Sequence, residues 1–123
     1  MLRIATKKAS SSEFSRARMG AVIANKGRIL STGINEVRHY KKCPTPRKWK
    51  NSLHAEQSAI LKLLNSGRQH ELVGATLFVS RVNNFNRPML AKPCSFCEEL
   101  ISIVGIKRVF YTTGKGTKSY EPS

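Results

Sequence analysis

Two short polar motifs, His54-Ala55-Glu56 and Pro93-Cys94-Ser95-Phe96-Cys97, constrain this chain more than any other feature. Each stands at the front of an apolar segment of helical length. "NSLHAEQSAILKLL" offers Leu53, Ala55, Ile60, Leu61, Leu63 and Leu64 for burial, and Cys94 to Val104 reads as another helix ending at Gly105. In a helix interior, side chains two positions apart point roughly 200° apart. His54 and Glu56 therefore border one pocket most readily at a helix start, where Asn51 or Ser52 caps and the chain changes direction.

Cys94 and Cys97, three positions apart, lie on nearly the same face of a helix start. The positive end of the helix dipole favours their ionised form. The chain has three cysteines in all, Cys43, Cys94 and Cys97, too few for a paired disulfide framework, so metal binding or redox chemistry is the expected use. A thioredoxin-like pair would need a strand before the motif and no third ligand. His54 supplies a third ligand: His54, Cys94 and Cys97 suit zinc and leave the fourth tetrahedral position open to water, the mark of a catalytic site. Glu56, near the metal but not bound to it, is the group to accept a proton from that water and pass it to a substrate nitrogen.

Around these motifs the chain alternates. Residues 2–18 read as a first helix with Leu2, Ile4, Ala5, Ala9 and Phe14 inward, broken or frayed by Ser10–Ser12. "MGAVIANKGRILSTGIN" reads as a hairpin: strands Ala21–Ala24 and Arg28–Gly33 flank a turn at Asn25-Lys26-Gly27. A basic, Pro-containing loop runs from Glu36 to Asn51, and a helix follows from about His54 to Asn65. "GATLFVS" is a third strand, "RVNNFNRPMLAK" a loop, "IKRVFYTT" a fourth strand, and the tail from Gly114 is expected to fray. The order predicts a single domain over 1–123 with its core at about 19–112, an α/β sandwich in which helices pack on a mixed sheet.

Lys and Arg number 22 against 7 Asp and Glu, a formal net charge of +15. That excess favours contact with phosphate, on a nucleotide or on nucleic acid. No apolar run approaches the roughly 18 residues needed to cross a bilayer, so no membrane partner is expected. The N-terminal segment "MLRIATKKASSSEFSRARMG" lacks the apolar core of a secretory signal, so the expected location is cytoplasmic.

The combination "HAE" with "PCSFC" matches the H-x-E…P-C-x-x-C signature of zinc-dependent nucleobase deaminases. The chain resembles the cytidine and deoxycytidylate deaminase superfamily from about Met19 to Thr112. "MGAVIANKGRILSTGIN" resembles the opening hairpin of that family, and "GIKRVFYTT" the strand after its cysteine helix. The resemblance implies a three-layer α-β-α sandwich with a central mixed sheet, and zinc held by His54, Cys94 and Cys97. It implies that Glu56 shuttles protons, that Asn35 contacts the substrate sugar and that the backbone N–H of Ala55 meets the pyrimidine carbonyl. The implied reaction is hydrolysis at C4 of cytosine with release of ammonia, in an enzyme of a kind that often forms homo-oligomers. Deoxycytidylate is the leading substrate; a base in single-stranded DNA, RNA or tRNA is the alternative, and a non-catalytic zinc module that binds nucleic acid the third reading.

The chain departs from the family pattern at Ser58, where deoxycytidylate deaminases often carry Asn, and in the dozen residues between Ser80 and Pro93. His39 with Cys43 makes a poor second metal site. Trp49 is equally suited to stacking on a base and to closing the core. Arg81 and Arg87 read as solvated loop charges, with a substrate phosphate as their alternative partner.

Overall fold

The computed structural model describes residues 1–10, 18–37, 52–83, 85 and 87–122. Phe14, His39, Cys43, Trp49 and Asn51 lie outside the described residues.

The expected hairpin is present, longer than its apolar core suggested: β1 covers Arg18–Asn25 and β2 covers Arg28–Ile34. Its loop is Lys26-Gly27, with φ of 51° and 79°, between the paired Asn25 and Arg28. A two-residue turn with both φ positive matches the twist of the strands it joins. After the hairpin come a two-residue pair, β3 (Glu36–Val37) with β4 (Ser52–Leu53), then α2 (Ala55–Asn65) and a 3₁₀ turn (Gln69–Leu72). The remaining elements are β5 (Thr76–Val82), β6 (Pro88–Met89), α3 (Ser95–Ile103), β7 (Arg108–Thr113) and β8 (Gly116–Tyr120).

The sheet runs β2-β1-β5-β7-β8, with β6 paired to β5. Every pairing is antiparallel except β5 with β7. A parallel neighbour cannot be reached by a tight turn, so the chain crosses over through α3.

Side-chain alternation sorts the sheet into two faces. Ala21 and Ile23 of β1, Leu77 and Val79 of β5, and Val109 and Tyr111 of β7 form one core with Ala55, Ala59, Ile60 and Leu63 of α2 and Ile101 of α3. The alternate positions face α1 (Leu2–Ala9): Ser80 Oγ lies 2.6 Å from Thr6 Oγ1, and Gly20 is in close approach to the backbone of Ala5 and Ala9. One helix on one face and two on the other give the three-layer sandwich, with a mixed sheet at its centre.

Three boundaries differ from expectation. The first helix covers Leu2–Ala9 and is capped by Ser10, the start of the run expected to break or fray it, while Arg18, the end of the expected helix, belongs to β1. The segment read as a loop after Ser80 begins as strand, because β5 continues through Arg81 and Val82 and pairs with Pro88–Met89. The tail expected to fray is β8, antiparallel to β7 from Thr113↔Gly116 to Val109↔Tyr120. Its side chains from Gly116 to Ser119 are all exposed, so its backbone pairing leaves no mark in the hydropathy pattern. Among the described residues no helix is long and apolar enough to cross a membrane.

Candidate active site

His54 is the residue before the first turn of α2, with φ −71° and ψ 153°, an extended conformation. Its N–H donates to Gln57 Oε1 at 2.9 Å, and its C=O accepts from the Ser58 N–H at 2.9 Å. The helix thus begins between His54 and Glu56, which removes the angular conflict that two interior positions would have. Cys94 repeats the arrangement at α3, with φ −69° and ψ 168° and its C=O accepting from the Glu98 N–H at 2.8 Å. Cys97 follows in the first turn.

Topology brings the two helix starts together. β2 and β5 are both antiparallel to β1 and so point the same way. The chain leaves both strands at the same end of the sheet and returns over the same face as α2 and α3. Close approach fixes the first of these helices: a Cβ added at Gly33 would lie 2.5 Å from the Ala55 oxygen and 2.6 Å from the Ala59 nitrogen. Ser31 Oγ adds a hydrogen bond to the Ala59 carbonyl at 2.8 Å.

His54 Nδ1 then lies 3.2 Å from Cys97 Sγ and 3.7 Å from Cys94 Sγ, and the three donor atoms all fall within 4.8 Å of one another. A tetrahedral zinc at ordinary bond lengths sets its N and S ligands about 3.6 Å apart, the middle of that spread. Glu56 is 1% exposed, and its Oε1 has no hydrogen-bond partner. Burial raises the pKa of its carboxyl, while its own backbone N–H, His54 and a contact with the Cys97 thiol oppose the rise. Burial also pushes the Cys97 thiol up, with Glu56 and Cys94 adding to the shift. Two thiols and a sealed carboxyl with no cation among them are an unfavourable grouping. A divalent metal reverses this, since a coordinating thiol gives up its proton outright. The donor set fits zinc.

Ala55 is fully buried and opens α2, so its N–H has no partner within the helix. Asn35 is 8% exposed; its Oδ1 accepts from the Met19 N–H at 2.9 Å and its N–H donates to the Met19 carbonyl at 3.3 Å. The next residue, Glu36, pairs through its backbone with Leu53, the residue before His54. Asn35 therefore follows β2 directly and stands beside the segment that carries His54. Arg87 is exposed in the turn between β5 and β6.

One residue near this end of the molecule escaped the reading of the sequence, and another was assigned to the wrong element. Tyr120, in the tail expected to fray, packs edge-on against Tyr111 at 6.0 Å and buries its hydroxyl without a hydrogen-bond partner. Burial pushes that hydroxyl up, with the charges of Glu98 and Glu56 adding. Arg81 belongs to β5 and not to a loop, and its Nε is buried. The signal for Arg81 lay in its parity: it stands two residues past Val79 and four past Leu77, on their side of a strand.

Comparison with known proteins agrees with this geometry. Residues 1–113 match the family model described as the cytidine and deoxycytidylate deaminase zinc-binding region. A deoxycytidylate deaminase from Mycobacterium phage D29 is 31% identical over 128 aligned positions, covering 89% of each chain. The apo dCMP deaminase of cyanophage S-TIM5 superposes with a TM-score of 0.67 at 28% identity, over 89% of this chain and 77% of that one. A cytidine deaminase from Burkholderia pseudomallei, 16% identical, shares the fold with a TM-score of 0.71 over 98% and 89% of the two chains. With its buried Glu56 beside a His-Cys-Cys zinc site at two converging helix starts, the chain belongs to the cytidine and deoxycytidylate deaminase family of zinc-dependent hydrolases.

Proposed function

We propose that the protein hydrolytically deaminates the cytosine of a nucleotide, with deoxycytidylate as its leading substrate. The observation that carries the reaction is Glu56: a sealed carboxyl with an unpartnered oxygen, touching the metal-ligand Cys97 and bound to no metal-ligating role itself. Similarity to the phage D29 deoxycytidylate deaminase supports the substrate.

Zinc, when bound, supplies the Lewis acidity that makes water a usable nucleophile near neutral pH. Glu56 takes up a proton from the attacking water and returns it to the departing amino nitrogen, so that cytosine and water become uracil and ammonia. Burial raises its pKa, which suits a group that must hold a proton for part of the cycle. The Ala55 N–H, at the positive end of α2, is placed to donate to the pyrimidine carbonyl. Asn35, which precedes the Glu36–Leu53 rung next to His54, meets the sugar.

Ammonia release from a panel of dCMP, cytidine, dCTP and single-stranded oligonucleotides tests the substrate. Turnover of dCMP is the expected result. Glu56→Ala should lower kcat by a factor of about 10² or more while zinc content stays at one per chain; unchanged turnover would defeat the mechanism. The net charge of +15 favours a second reading, a base within single-stranded nucleic acid. Activity on the oligonucleotide and on no mononucleotide would establish that reading, with a steep fall as salt rises.

A further inference from the structure

Arg81 raises a charge question that the described residues do not answer. β1 pairs Met19 with Arg81, and Arg81 pairs with Met89 of β6. On its other side Met19 is hydrogen-bonded to Asn35. Asn35, Met19, Arg81 and Met89 thus form one row across the end of the sheet. The neighbouring row settles which face this is. Leu77 and Val79 lie in the core beneath α2 and α3, whereas Phe78 stacks on Phe110 and Ser80 meets Thr6 of α1. Arg81 follows Val79 in the alternation, so it stands on the face that carries His54, Cys94 and Cys97.

Its Nε is sealed from solvent and makes no hydrogen bond. The side chain takes part in none of the ion pairs among the described residues, which join Arg68 to Glu71, Lys92 to Glu98 and Arg108 to Glu121. A buried guanidinium nitrogen without a partner is unfavourable, because its lost hydration is not replaced. No described residue supplies an anion to it, and Arg81 stands at the end of the sheet that carries the metal-site residues.

We propose that Arg81 reads the 5′-phosphate of the substrate and sets the preference for a nucleoside monophosphate over the free nucleoside. In the nucleotide reading above, cytosine lies at the metal site with Glu56 and the sugar at Asn35; Arg81 is two strand spacings from Asn35 along the observed row, roughly 10 Å away. A long side chain shortens that gap. Arg also matches the oxygens of phosphate with two parallel N–H donors, which Lys does not. This assignment rests on the nucleotide reading above.

Calorimetric binding of dUMP against deoxyuridine tests Arg81 without requiring turnover. The wild type should bind dUMP about 10- to 100-fold more tightly than deoxyuridine, the range of a charge-assisted pair. Arg81→Gln should remove that ratio and leave deoxyuridine binding and zinc content unchanged; Arg81→Lys should recover part of it. Binding of dUMP no tighter than deoxyuridine by the wild type would overturn the proposal, as would a variant that weakens both ligands equally. Retained dUMP preference in a protein that releases no ammonia from any cytosine compound would instead overturn the deaminase reading and leave Arg81 as a phosphate reader.

Discussion

Cys94 and Cys97 are three residues apart, yet the first is exposed and the second fully buried. Their spacing in the sequence announced a shared metal; their difference in exposure depended on which side of α3 faces the core. That difference predicts their reactivity. After zinc is removed with a chelator, iodoacetamide should alkylate Cys94 about tenfold or more faster than Cys97, because Cys97 is sealed from the reagent and burial pushes its thiol up. Peptide mass spectrometry over a time course checks this, and equal rates would mean that the helix start opens when the metal leaves. Glu56 shows the same division of information. Its identity and its distance from His54 are readable in "HAE". The burial that raises its pKa depends on the packed fold, and its contact with Cys97 on a helix that begins 40 positions after its own.

Elements with an apolar stripe were legible, and elements without one were not. α2, β1, β5 and β7 each bury three or more residues, α3 buries Cys97 and Ile101, and β2 alternates buried Ser31 and Gly33 with half-buried Leu30, Thr32 and Ile34, so their periodicity shows in the sequence. β6 spans two exposed residues and β8 is exposed from Gly116 to Ser119. Both exist because an open sheet edge pairs with available backbone, a cause that hydropathy does not record. Arg81 was misplaced for the same reason, since its strand ends in a polar stretch. Gly33 shows how an element is positioned by what a residue lacks. Gly33→Ala would drive a methyl group against the backbone of Ala55 and Ala59, which should destabilise the fold by about 1–3 kcal/mol. Because the displaced segment carries His54 and Glu56, zinc per chain should fall with it. Urea midpoints and metal analysis measure both; a stable variant with full zinc would show that α2 shifts without moving its first turn.

At the scale of the molecule, the zinc site joins the starts of two helices that lie on one face of the sheet. A metal bound to the folded state and not to the unfolded chain adds its binding free energy to stability. For a chain of 123 residues, each kcal/mol moves the melting temperature by roughly 4 °C. Chelation should therefore lower it by roughly 10 °C or more, read by scanning calorimetry with and without chelator. An unchanged melting temperature would mean that the β2–α2 and β5–α3 units hold the site without the metal.

The sequence by itself determined the chemistry: a histidine and two cysteines for zinc, a carboxylate two residues from the histidine, and helix starts to carry them. These follow from residue type and short-range spacing, which local backbone geometry fixes. It also determined most of the buried elements, because burial imposes a period. Only the tertiary structure decided that the two helix starts meet. That depends on β2 and β5 running the same way on either side of β1, a relation between strands far apart in the chain. That β5 continues through Arg81 was decided there too, because pairing with Met19 and Met89 extends the strand past its apolar run, and such pairing joins segments far apart in the chain.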